Sequence, residues 1–189
     1  LANDDLQETN ETFQVRLTNP VDGVITNGTN IITLTDDDSS TLAFATNAIT
    51  TGESNVTLTI IVERSGATNT TVAVNYASTN GTATAASDYT AVSGTLNFVP
   101  GVVSNSFTVD VLHDLSLETN ETFQLRLSSA TNTTLALGTN TVTITDNDAA
   151  TVAFLHGTTN VAEGVGTMTI TAVRSGATNT AVSVRFYST

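Results

Sequence analysis

The sequence ETNETFQ occurs at residues 118–124 and again at residues 8–14, 110 positions earlier, and this repetition is the key to the fold. Residues 1–79 align with residues 111–189 at this offset without a gap, and 35 of the 79 pairs are identical. TDDD at 35–38 returns as TDND at 145–148, and RSGATNT at 64–70 returns at 174–180. Solenoid units are about 20 to 50 residues long, so a period of this length indicates a whole repeated domain.

The residues within one period alternate between apolar and polar side chains, which is typical of half-buried β-strands. Val, Ile, Thr and Phe favour strands, whereas the Asn-rich and Gly-rich segments between them favour turns. We therefore predict an all-β fold of tandem Greek-key, immunoglobulin-like β-sandwiches. The predicted strands lie at residues 41–45, 55–64, 71–76, 94–98, 106–112, 122–127 and 140–145.

The same pattern predicts three parts. Residues 1–38 are the C-terminal part of one repeat, 39–148 form a complete repeat, and 149–189 are the N-terminal part of the next. We call them the first segment, the central repeat and the last segment. Each repeat closes on an acidic motif, at 36–38 and 146–148, and only two residues separate that motif from the first predicted strand of the next repeat. These linkers, Ser39-Ser40 and Ala149-Ala150, contain neither Gly nor Pro. The neighbours of each repeat are thus expected to be other repeats of the same chain or like subunits.

Composition narrows the functional classes. A formal net charge of −13 without a single lysine argues against nucleic acid as a partner and suits a surface that binds cations. The absence of cysteine excludes disulfides and cysteine-based zinc sites. No apolar run approaches the length of about 18 residues that a membrane span needs, so no membrane insertion is predicted in this segment.

The ordered motifs resemble those of Calx-beta domains, the modules found in sodium–calcium exchangers, integrin β4 and long bacterial surface proteins. The resemblance covers the entire chain. It rests on an opening Phe, a following Glu, an Arg-x-Gly turn, a Thr-Ala…Asp-Tyr segment, a Gly-Thr-Leu strand and an acidic run. In the central repeat these are Phe44, Glu53, Arg64, Gly66, Thr82, Ala83, Asp88, Tyr89, Gly94, Phe98, Asp114, Glu118, Glu121 and Phe123.

By this resemblance, the carboxylates converge at one end of the sandwich and bind Ca²⁺, which takes about six to eight oxygen ligands. The implied metal ligands of the central repeat are Glu53, Asp88, Asp114, Glu118, Glu121, Asp146 and Asp148, with the carbonyl of Ser116. Their counterparts are Asp4, Glu8, Glu11, Asp36, Asp37 and Asp38 in the first segment and Glu163 in the last. Fourteen of the eighteen acidic residues occupy such motif positions.

Two positions depart from the family pattern. His113 stands where exchangers often carry a further Asp, and imidazole is a poor ligand for a hard cation. Asn147 replaces the Asp found at Asp37, which removes a charge. These changes favour one or two ions for each domain. The alternative is that the acidic strand ends are solvated turns and that residues 36–38 form a hinge without metal.

Other functional classes fit the sequence less well. Glu118 and Glu121 could serve as a glycosidase pair, but their pattern recurs in each copy, and nothing resembles a nucleophile elbow or a Ser–His–Asp arrangement. We therefore predict no enzyme. The expected function is a calcium-binding module of an extracellular or cell-surface stalk, filament or adhesin, with a surface ligand that the sequence does not identify. The alternative is a calcium-sensing regulatory domain of a membrane transporter or receptor.

Overall fold

A computed structural model describes residues 4–189, so the first three residues of the first segment lie outside the described part. Within it, all regular elements are β-strands. The central repeat contains β3 (Ser40–Phe44), β4 (Ala48–Gly52), β5 (Val56–Gly66), β6 (Val72–Asn80), β7 (Ser93–Phe98), β8 (Ser104–Val111), β9 (Glu121–Thr131), β10 (Thr134–Leu137) and β11 (Thr139–Thr145). The first segment contains β1 (Glu11–Arg16) and β2 (Thr29–Leu34), and the last contains β12 (Ala150–Phe154) and β13 (Ala172–Gly176). No helix in the described residues is long and apolar enough to cross a membrane.

The strands of the central repeat form two sheets. One has the order β10–β3–β5–β8, and the other has the order β4–β11–β9–β6–β7. Neighbouring strands are antiparallel except for the pairs β10–β3 and β11–β4, which are parallel. Strands β3 and β4 follow each other in the chain but lie in different sheets, so the chain crosses between the sheets at residues 45–47. The all-β sandwich predicted from the sequence is confirmed.

The core lies between the two sheets and is filled by alternate residues of each strand. In β9, Phe123, Leu125 and Leu127 are buried. In β5, Ile60 and Val62 face them from the other sheet while their neighbours are exposed. This alternation is the physical reason that the strand period of two could be seen in the sequence.

Each of the seven predicted strands is present, with ends that differ by a few residues. Two further strands, β4 and β10, were not predicted. They are edge strands of five and four residues, respectively, and pair in parallel with segments about 90 positions away along the chain. Ile49 is the only large apolar residue of β4, so the sequence there shows little alternation.

The two terminal segments each form a single antiparallel pair of strands, β1–β2 and β12–β13. Their apolar side chains are exposed where the central repeat buries the counterparts. Phe13 is 42% exposed, whereas Phe123 is 0% exposed, and Phe154 is 60% exposed, whereas Phe44 is 3% exposed. In the described residues, these segments therefore contribute one layer each, without the opposite sheet that covers the core of the central repeat.

Candidate metal site

Loops at one end of the central sandwich bring together carboxylates from four parts of the chain. Glu53 follows β4, Asp88 lies between β6 and β7, and Glu121 begins β9. Strand β11 ends one residue before Asp146. These four residues and Glu118 line one depression at the end of the sandwich. Strand ends that are far apart in the sequence thus form one negatively charged surface.

Two groups of side chains lie close enough to share a cation. One carboxylate oxygen from each of Asp88, Glu118 and Glu121 lies within 4.8 Å of the other two. The same spacing joins Glu53, His113 and Asp148. Carboxylate oxygens this close together suit a hard divalent cation. His113 is the one nitrogen ligand in the two groups.

Hydrogen bonds from the backbone fix the loop between β8 and β9 against these carboxylates. The amide of Asp114 donates to Glu53 Oε1 at 3.0 Å, and the amide of Ser116 donates to Asp114 Oδ1 at 2.6 Å. The amide of Glu118 donates to Asp146 Oδ2 at 3.2 Å. Each bond consumes one lone pair of a carboxylate and leaves other oxygen positions for a ligand. The loop is thereby preorganised around the depression.

Asp88 is positioned in a different way. Its Oδ2 accepts from the amide of Thr84 at 2.6 Å and from the Thr84 hydroxyl at 3.2 Å. Its carbonyl accepts from the amide of Leu112 at 2.9 Å, which ties it to the end of β8. The segment around Asp88 therefore cannot move away from the site without breaking local and long-range contacts.

Burial and the crowding of negative charge raise the pKa values of three glutamates in the site. Burial, followed by the charges of Asp88 and Glu118, raises the pKa of Glu121 to about 7. Burial is also the largest cause that raises the pKa of Glu118 and of Glu53, and the charge of Asp114 adds to both. Two like charges 4 Å apart repel by about 4 kcal/mol at an effective dielectric constant of about 20. Without a cation, the site reduces this repulsion by holding a proton.

Two residues that departed from the family pattern acquire definite places. His113 Nδ1 lies 4.0 Å from Glu53 Oε1, so this imidazole borders the acidic group rather than standing apart from it. The side-chain amide of Asn147 donates to the carbonyl of Glu53. Asn147 therefore holds the Glu53 loop through its nitrogen, a role that neither its residue type nor its position in the motif indicated.

The first segment repeats much of this arrangement. Asp4, Glu8, Glu11 and residues 36–38 line a second depression. The amide of Glu8 donates to Asp36 Oδ2 at 3.0 Å, as Glu118 does to Asp146. The charge of Asp4, followed by burial, raises the pKa of Glu8. Glu163 of the last segment is exposed and belongs to neither of the two depressions described.

Together, the repeat, the two-sheet sandwich and the acidic end define a class of tandem β-sandwich modules with clustered carboxylates at a domain boundary. Family models identify the class more closely. The model of the Calx-beta domain matches residues 1–38, 35–148 and 145–189, which together include the entire chain. The chain belongs to the Calx-beta family, so the resemblance inferred from the sequence is confirmed.

Two kinds of protein contain a segment similar to this chain. Extracellular matrix protein 3 of Lytechinus variegatus is 34% identical in an alignment 200 positions long that covers 99% of this chain and 6% of that protein. Sodium/calcium exchanger 1 of Mus musculus is 33% identical over 61% of this chain and 14% of the exchanger. The chain thus spans only a small part of either relative.

Solved structures agree with the architecture. The apo-form Calx CBD1 domain superposes with a TM-score of 0.57 and 31% identity, covering 59% of this chain and all of that domain (100%). A CBD12 structure from CALX1.2 gives a TM-score of 0.56 and 31% identity over 67% of this chain and 53% of that chain.

Proposed function

We propose that the central repeat binds Ca²⁺ at its acidic end and serves as a structural module in a tandem array. The observation that supports calcium most directly is the approach of Asp88, Glu118 and Glu121 oxygens to within 4.8 Å of one another. A divalent ion placed among them would replace mutual repulsion by attraction. The group of Glu53, His113 and Asp148 provides room for a second ion in the same domain.

Ligand chemistry supports calcium over softer metals. The chain has no cysteine, and all the proposed ligands offer oxygen. A further solved relative, CBD12 of CALX1.1, is 30% identical with a TM-score of 0.55 and is itself described as a calcium binding domain. We therefore assign the carboxylates to ion binding.

The setting that we propose is an extracellular or cell-surface stalk, filament or adhesin. The match to an extracellular matrix protein supports it, because that alignment covers 99% of this chain and so includes parts of successive repeats. The second candidate is a regulatory calcium-binding domain of a transporter. It is favoured by the exchanger matches, which cover 61% to 64% of this chain.

Calorimetric titration of the whole chain with Ca²⁺ tests the binding proposal. We expect a saturable heat and a rise in melting temperature, since free ligand at 100 times Kd adds about 2.7 kcal/mol to the stability of the folded state. The double variant Asp114→Asn, Glu121→Gln should abolish both effects. Glu63→Gln removes one charge from an exposed position on β5 and should preserve them. A melting temperature that millimolar Ca²⁺ leaves unchanged would contradict the proposal.

The two settings differ in which side of the membrane they occupy. Protease added to intact cells should degrade the native parent protein if this segment projects outward. Protection that ends only when the cells are permeabilised would support the regulatory domain of a transporter instead.

A further inference from the structure

The turn between β5 and β6 makes a contact that neither the acidic site nor the sandwich core requires. The amide of Gln7, in the first segment, donates to Asn69 Oδ1 at 3.0 Å, and Asn69 Nδ2 donates back to the carbonyl of Gln7 at 2.9 Å. A carboxamide places an N–H donor beside a carbonyl acceptor, so it pairs with the N–H and C=O of one residue as another strand would. Asn69 therefore clamps the backbone of the preceding repeat.

The contact occurs again one period later. The amide of Leu117 donates to Asn179 Oδ1 at 2.9 Å, and Asn179 Nδ2 donates to the carbonyl of Leu117 at 3.0 Å. Gln7 and Leu117 occupy equivalent positions, and the bidentate pair uses the backbone of both residues. Gln7 adds a side-chain contact, because the Thr70 hydroxyl donates to Gln7 Oε1 at 3.2 Å. Two junctions in one chain thus use the same bidentate contact.

The clamped residue lies inside the acidic loop. Next to Leu117, the amides of Ser116 and Glu118 donate to Asp114 and Asp146. Next to Gln7, the amides of Leu6 and Glu8 donate to Asp4 and Asp36 in the same way. Each Asn therefore holds a loop whose two neighbouring amides are already bound to the candidate metal ligands of the preceding repeat.

The same turn also holds the linker. The amide of Ala67 donates to the carbonyl of Ser39 at 3.1 Å, and that of Ala177 donates to the carbonyl of Ala149 at 3.1 Å. Ala177 is 0% exposed although the other residues of 149–189 are exposed or half-buried. Ala67, at the equivalent position of the central repeat, is 2% exposed, so burial of this side chain accompanies the linker contact at both junctions.

An arginine stiffens the turn from within. Arg64 is buried and donates from Nη1 to the carbonyl of Thr70 at 2.8 Å, so it pins the turn. Arg174 donates to the carbonyl of Ala177 in the last segment. A turn fixed by its own arginine can present Asn69 or Asn179 with little loss of side-chain entropy.

We infer that the RSGATN turn of each repeat is a docking surface whose partner is the acidic loop and linker of the preceding repeat, with Asn69 and Asn179 as the positioning residues. Docking fixes the orientation of successive sandwiches through the loop that carries Asp4 and Glu8 at the first junction and through the loop that carries Asp114 and Glu118 at the second. The inference goes beyond ion binding and does not depend on it, because every contact that carries it joins protein atoms.

Amide hydrogen exchange of the full chain tests this inference. Asn69→Ala should accelerate the exchange of the Gln7 amide about tenfold and leave that of Leu117 unchanged, and Asn179→Ala should do the reverse. Each variant is the matched control for the other, and unchanged exchange in the core amides of β8 reports that the sandwich persists. Asn69→Asp retains the acceptor but loses the donor, and it should also release the junction. Exchange rates of Gln7 and Leu117 that neither variant changes would overturn the inference.

A distance measurement across the junction provides a second readout. The chain has no cysteine, so spin labels at Thr33→Cys and Thr59→Cys, both exposed, would be the only ones attached. Asn69→Ala should broaden their distance distribution, whereas Asn75→Ala, which removes another exposed Asn, should not. Equal distributions would overturn the inference. A chain that shows these effects but binds no Ca²⁺ would contradict the proposed function alone.

Discussion

The ring of Tyr89 stacks on that of Phe123, with centroids 3.9 Å apart and planes inclined by 7°. Both rings are buried, and the Tyr89 hydroxyl donates to Asn80 Oδ1 at 2.6 Å. Asp88 directly precedes Tyr89, and Glu121 lies two positions before Phe123. The stack therefore supports the two carboxylates from beneath, so that core packing determines how closely the candidate ligands approach.

The first prediction concerns this support. Phe123→Ala should lower the free energy of unfolding by about 3–5 kcal/mol, because it leaves a cavity beneath Tyr89. It should also weaken Ca²⁺ binding, since Asp88 and Glu121 lose their common base. The matched control is Phe13→Ala, at the equivalent position of the first segment, where the ring is 42% exposed and the loss should be about 1 kcal/mol or less. Urea unfolding measures both, and equal losses would contradict the interpretation.

The second prediction concerns pH in the presence of a chelator. The folded chain raises the pKa of Glu121 from 4.5 to about 7, chiefly through burial. The folded state therefore retains a proton that the unfolded state releases, so stability from this group is full below pH 4.5 and is lost as the pH rises through about 7. The melting temperature should fall over this window, and Glu121→Gln should flatten the decrease. An unchanged slope in Glu121→Gln, matching that of Glu63→Gln, would count against this origin.

The third prediction is the reverse dependence for ion binding. Ca²⁺ requires the ionised carboxylate, so it must displace the proton from Glu121. The apparent affinity should decrease below pH 7 by up to about tenfold for each pH unit, if one proton is displaced. Titrations in buffers of different ionisation enthalpy would count the protons released. Release of no proton at pH 6 would show that Glu121 is not a ligand.

The sequence predicts the strands of the core well because burial on one face imposes a period of two, as in residues 122–127. It does not predict β4 or β10, whose positions come from parallel pairing with segments far along the chain. Nor does it predict that Asn69 binds Gln7, since the partner of its carboxamide is a peptide group 62 positions away, and a peptide group carries no signal in the residue types.

The candidate site, like the fold, could be predicted from the sequence only in part. The acidic motif identifies which carboxylates to consider, because their types and spacing follow a family pattern. Their distribution into two groups depends on loop geometry, and so does the approach of His113 to Glu53. The pairing of Asn147 with the Glu53 carbonyl could not be inferred either, because an amide in an acidic motif first suggests an oxygen ligand.

The fourth prediction concerns the linker between repeats. Gly66 has φ of +78°, and a Cβ there would lie 2.2 Å from the carbonyl oxygen of Ser39. Gly101 has φ of +83° but no atom within 4 Å of such a Cβ, so Gly101→Ala isolates the cost of backbone strain. Gly101→Ala should lose about 1–2 kcal/mol of stability. Gly66→Ala should lose at least about 1 kcal/mol more, because the linker must also move. Equal losses in thermal unfolding would show that the close approach is unimportant.

The last prediction concerns the shape of the array. Asp146 and Asp148 stand immediately before the residues that lead into β12, and the loop that holds Asp114 and Glu118 is docked on the next repeat through Asn179. An ion held by these carboxylates would therefore join the end of one sandwich, its linker and the docked loop. We expect three tandem repeats to form a stiff rod with Ca²⁺ and a more flexible chain with chelator.

Small-angle X-ray scattering measures this difference directly. Chelation should decrease the maximum dimension of the three-repeat chain or broaden the distribution of its interatomic distances. The double variant Asp114→Asn, Glu121→Gln should give the scattering profile of the chelated chain at all Ca²⁺ concentrations. The alternative is a linker held rigid by the Asn contacts alone. In that case the profile stays unchanged on chelation and broadens only when Asn69 and Asn179 are replaced by Ala. That outcome would refute calcium stiffening even if the ion binds.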